Sequence, residues 1–170
     1  LRNRFAESLA NGEQKLARIY VSTTYAALSM IFGSFFVIFL IVNPFLNWSQ
    51  ILNAPESMSH DLSILMVITV GFFLLRFIFK LISIIITADQ RPAISNTFDP
   101  LANLLSLSVI LILMKTTDPS LINLGLVLGA SPVIIFLLAS LYFFNRDYKP
   151  YRPTFKLVNL TYFKDLAGLG

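Results

Sequence analysis

Arg76 and Lys80 stand one helical turn apart inside "GFFLLRFIFKLISIIITA", a run otherwise suited to lipid. A charge in hydrocarbon costs on the order of 3 kcal/mol or more, so such residues face protein or water and have partners. Arginine can grip two phosphate oxygens in a planar fork and lysine adds a compact charge, so the pair suits an anionic, phosphorylated ligand. A counter-charge lies in "SNTFDPLANLLSLS", where Asn96, Asp99, Asn103 and Ser106 recur at the spacing of one helix face. Thr69, Phe73, Arg76, Lys80, Ser83 and Thr87 share that spacing on the preceding run. Arg76, Lys80, Asp99 and Asn103 are therefore the candidate cavity lining. Two readings stand open: Asp99 and the amides neutralise the cations in a seam that glues two helices, or two cations against one carboxylate leave positive charge in a watery cavity where an anion binds.

The elements that must position these residues are membrane helices. A chain of 170 residues with 56% hydrophobic and 13% charged residues is more apolar than an ordinary soluble domain. A bilayer core needs roughly 20 apolar residues in a helix. Four segments qualify, Val21 to Val42, Leu62 to Ala88, Ile94 to Met114 and Leu121 to Phe144, between a leading segment 1–20 and a following segment 145–170. Spanning segments this long satisfy their backbone groups as helices. The fold class is all-α integral membrane. The connection "DQRPA" is short, and Pro92 disfavours one helix through it, so spans two and three are expected as antiparallel neighbours. Measured along continuous helices, Lys80 lies about 12 Å and Arg76 about 18 Å from Ala88, while Asp99 lies about 9 Å and Asn103 about 15 Å from Ala93. On that count Asp99 pairs with Lys80.

Lysine and arginine set orientation, since short loops rich in them stay cytoplasmic. Arg2, Arg4, Lys15, Arg18, Arg91, Arg146, Lys149, Arg152, Lys156 and Lys164 fall on one side of an alternating four-span layout, and the other side has only Lys115. Both ends are expected to be cytoplasmic. Topology thus explains the net charge of +4, and no aromatic-basic module points to nucleic acid. Gly125, Gly129 and Ser131 in "GLVLGASP" make a small-residue face for close helix packing or, with Pro132, a hinge.

No nucleophile triad, phosphate loop, paired carboxylates or metal-ligand spacing is visible, and His60 stands alone, so neither an enzyme nor a cofactor or metal site is expected. The tail "RPTFKLVNLTYFKDLAGLG" alternates basic and apolar residues, as a membrane-surface strap leading to a further helix would. With Leu at position 1 and an apolar finish at Gly170, the chain is expected to be a piece of a longer protein.

The opening "LRNRFAESLANGEQKLARIYVSTTYA", the turn "TADQRPAISNTFDPLANLLSL" and the tail "FNRDYKPYRPTFKLVNLTYFKDLAGLG" resemble the bacterial O-antigen and polysaccharide flippases, over essentially the whole chain. These belong with the multidrug and toxic compound extruders and have two helical lobes around a central cavity. The resemblance implies that the four spans belong to the first lobe and that the tail links to the second. It implies transport of an undecaprenyl-pyrophosphate-linked oligosaccharide across the bacterial inner membrane by alternating access, with Arg76 and Lys80 in the cationic lining. The implied partners are that anionic lipid carrier, membrane lipids and the rest of the transporter. A drug extruder and a non-transporting membrane scaffold are the alternatives, though a positive seam disfavours the cationic ligands of extruders.

Overall fold

The computed structural model describes residues 1–118, 120–159 and 161–162. Among the described residues every regular element is helical and there is no strand. Four stretches are long and apolar enough to cross a membrane: Gln14–Phe45, Glu56–Ala88, Pro92–Thr116 and Leu121–Asn145. The chain is an all-α, multi-pass membrane protein.

The α-helices are α1 (Arg2–Ala10), α2 (Gln14–Val42), α3 (Trp48–Ile51), α4 (Ser59–Phe79), α5 (Leu81–Ala88), α6 (Pro92–Ser95), α7 (Phe98–Thr116) and α8 (Leu121–Asn145). Gly12, at φ 72°, supplies the left-handed residue that lets the chain turn from α1 into α2. Helix α2 begins at Gln14, well inside the segment expected to precede the first span.

Helix α8 is the centre of the bundle, packing against both α4 and α7, while α2 packs against α4. Its small-residue face is a packing surface. A Cβ on Gly125 would overlap the end of Leu65, and one on Gly129 would come within 2.8 Å of the Phe72 ring and 2.9 Å of its Cβ. Helix α8 continues through Pro132 as one element.

Two expectations about the middle spans are corrected. The second span is not one continuous helix: it breaks at Lys80, whose carbonyl accepts from Ser83 N–H at 3.0 Å in a tighter, three-residue turn. The third span is likewise divided into α6 and α7 across Asn96 and Thr97. The second correction concerns neighbours. Spans two and three meet only at the end nearest their connection, where α5 packs on α6 and Asp99 reaches Arg76 and Lys80, and beyond it α4 and α7 each pack along α8.

The two ends of the bundle differ. At one end, α1, α5, the start of α2 and the end of α8 enclose a compact core in which Phe5, Val21, Ile82, Ile85, Ile86 and Phe136 are fully buried. At the other, Phe35, Ile38 and Ile41 of α2 and Leu107, Leu111 and Met114 of α7 are exposed. Lipid is the solvent for that apolar surface. The described part of the tail lies against the bundle. It is fastened to α2: Arg18 Nε donates to the Arg152 carbonyl at 2.9 Å, Thr154 N–H to Ser22 Oγ at 3.0 Å, and Asn159 N–H to Thr23 Oγ1 at 3.1 Å. The further helix expected toward Gly170 lies outside the described residues.

Candidate functional site

The breaks in the middle spans leave two helix ends facing each other, and the charged residues sit on them. Arg76 is in the last turn of α4 and Lys80 caps it, while Asp99 is in the first turn of α7. Cations at a helix C-terminus and an anion at an N-terminus each complement the helix dipole, typically by 0.3–1 kcal/mol at exposed sites and by roughly 2 kcal/mol in partly buried ones. Pro100 follows Asp99 without loss, since first-turn N–H groups have no partner inside the helix.

Asp99 accepts from both cations. Its Oδ1 lies 2.7 Å from Arg76 Nη2 and its Oδ2 2.9 Å from Lys80 Nζ. The expected pairing with Lys80 is present, and Arg76 is added to it. Two cations share one carboxylate, leaving one positive charge in excess. The three side chains remain about two-fifths exposed, at 40%, 41% and 42% for Arg76, Lys80 and Asp99. The cluster therefore has an open side.

Helix α8 holds this arrangement in place from below. Phe98, Ala102 and Ser106 form the buried face of α7. Phe98 meets Phe136 of α8 edge-on, with ring centroids 5.9 Å apart. The Lys80 ammonium lies 5.5 Å from the centre of the same Phe136 ring, a cation–π distance. One buried phenylalanine thus positions the lysine and the helix that bears Asp99. Nothing in the apolar sequence around Phe136 distinguishes it from its neighbours, and the sequence reasoning missed it.

Arg76 has a second environment. It lines a groove of about 350 Å³ between α4 and α8, together with Thr69, Phe72, Phe73, Leu124 and Pro132. The groove is apolar apart from Thr69 and the guanidinium at its end. Asn103, expected beside the cations, is exposed on α7 and takes no part in the ion pairs. Ser106 is buried, Ser83 lies in the core of the compact end, and Asn96 precedes α7. Helix α4 has 21 residues and is by itself about 31 Å long, so it needs none of α5 to cross a bilayer core. The cluster is at the end of α4, within the stretch Glu56–Ala88.

A second charged cluster lies between the spans. Arg91 Nε is 3.2 Å from Asp89 Oδ2 and its Nη1 3.1 Å from Asp147 Oδ2, so one cation bridges two carboxylates. Tyr148, only 3% exposed, donates its hydroxyl to Asp89 at 2.8 Å. Burial first, and then the hydrogen bond to Asp89, push the Tyr148 hydroxyl well above its ordinary pKa.

No known protein family, curated protein or solved structure matches this chain. The chemistry is read from the geometry.

Proposed function

We propose that the Arg76–Lys80 pair binds the phosphate of an anionic membrane lipid, and that the chain is part of a transporter moving such a lipid across the bilayer. The single observation that carries this reading is an uncompensated cation on a broken-helix junction, open on one side, whose arginine also closes an apolar groove. A phosphate at Arg76 and Lys80 places its hydrocarbon chain beside that groove. Charges within a membrane segment persist where they meet a partner, water or a ligand, and broken helices concentrate at the sites of membrane transporters. With the resemblance to polysaccharide flippases, the substrate class is an undecaprenyl-pyrophosphate-linked oligosaccharide. The membrane is then the bacterial inner membrane, and the basic ends of the bundle face the cytoplasm.

A second reading has its own support. Both cations already bond Asp99, so the cluster also fastens the α4 end to the α7 start as structural glue. Replacement of Arg76 and Lys80 by Gln in the full-length protein, singly and together, separates the two when surface polysaccharide export and membrane abundance are followed in parallel. Export lost at normal abundance supports the anion site. Export retained, or lost only with the protein itself, leaves the seam.

A further inference from the structure

We propose that Asp99 is a resident counter-ion that sets a charge threshold at the site, so that only a ligand with at least two negative charges displaces it. The proposal rests on reading Arg76 and Lys80 as an anion site. The carboxylate occupies the place a phosphoryl group would take. Its two oxygens each hold one cation, at 2.7 Å from Arg76 and 2.9 Å from Lys80, as two oxygens of a phosphate would.

A monoanion entering the site exchanges one negative charge for an equal one and gains little Coulomb energy against the carboxylate it displaces. A diphosphate brings more charge and can engage both cations at once. Displacement does not strand Asp99. It remains in the first turn of α7, where the helix N-terminus favours an anion. The open side of the cluster gives the incoming group a route. A ligand that must wait for an internal competitor to leave binds more weakly by the fraction of time the site is open, so about tenfold if it is open one-tenth of the time.

The test is a phosphorus-31 NMR titration of the purified full-length protein in maltoside micelles with two probes. One is inorganic pyrophosphate and the other dimethyl phosphate, a monoanion with the same P–O geometry. Wild type is expected to bind pyrophosphate at least about tenfold more tightly than dimethyl phosphate. Asp99→Asn and Asp99→Ser, each checked for monodisperse elution, are expected to gain about tenfold for dimethyl phosphate. Wild type binding both probes equally overturns the threshold without any variant. Binding of pyrophosphate by wild type with no gain in either folded variant overturns it while leaving the anion site intact. Binding of neither probe by any of the proteins overturns both the anion site and the threshold.

Discussion

The two charged clusters differ in balance, one carrying an excess cation and the other matched. Arg76 and Lys80 share Asp99, two cations to one carboxylate, whereas Arg91 bridges Asp89 and Asp147 and Arg146 lies 4.0 Å from Asp147, two cations to two carboxylates. The Arg91 cluster ties the turn after α5 to the segment after α8, and Tyr148 completes it from a buried position. It lies between spans, where water and salt screen it and an ion pair contributes little. The Arg76 cluster sits on two helix ends inside the spans Glu56–Ala88 and Pro92–Thr116, where an unmatched cation is costly unless something else meets it. Charge balance, more than the presence of salt bridges, separates a fastening from a candidate binding site.

Removing the excess charge should have the largest effect. With hydrogen bonds to charged groups worth about 1.5–3 kcal/mol each, Arg76→Gln with Lys80→Gln is expected to weaken diphosphate binding by about two to four orders of magnitude. A comparable loss from Arg91→Gln would erase the distinction between the two clusters.

Next in size is the platform. The Phe72 Cβ lies 2.9 Å from where a Gly129 Cβ would stand, and that atom moves only with the α4 backbone, whereas Gly125 meets the flexible end of Leu65. Gly129→Ala is therefore expected to cost about 1–3 kcal/mol of stability through overpacking and more than Gly125→Ala. Denaturant unfolding in mixed micelles checks this. The reverse order would mean that α4 can shift along α8, and that the cluster is less firmly positioned than its geometry implies.

Smaller still is Arg91→Gln, which leaves Asp89 without its cation and Asp147 with Arg146 alone, at a half-exposed site. A loss of roughly 0–1 kcal/mol is expected, with anion affinity unchanged.

The smallest effect is one of pH. The Tyr148 hydroxyl is raised from its ordinary value of 10.0 in the folded state, so the folded protein keeps a proton that the unfolded chain releases. Its contribution is fully present below about pH 10 and is lost as pH rises through the folded value. Thermal midpoints measured from pH 8 upward should fall above pH 10 in wild type, and Tyr148→Phe should flatten that decline. An equal decline in both would show that Tyr148 does not couple folding to pH.

Much of this was legible in the residues. Hydropathy located four apolar spans, because a helix in lipid has no substitute for apolar length. Arg76, Lys80 and Asp99 were visible because charge in such a run demands a partner, and the pairing with Lys80 followed from spacing. What could not be seen was tertiary. No glycine or proline marks the break at Lys80, which accompanies packing of α5 against α1 and α8. The apparent stripe through Asn103 assumed a straight third span beside the second. With α4 and α7 each packed along α8 and a break at Asn96–Thr97, only the first turn of α7 reaches the cations. Phe136 was hidden for a simpler reason, since one phenylalanine in an apolar helix has no local signature.

The proposed function stands or falls on whether the excess positive charge at the end of α4 receives a lipid phosphate. Equilibrium binding of a short-chain prenyl diphosphate to the purified full-length protein decides it, with wild type set against Arg76→Gln with Lys80→Gln, both verified as folded. Saturable binding by wild type, competed by pyrophosphate and lost in the double variant, is the expected result. Equal binding by the two proteins would contradict it and leave the Arg76, Lys80 and Asp99 cluster as a structural fastening.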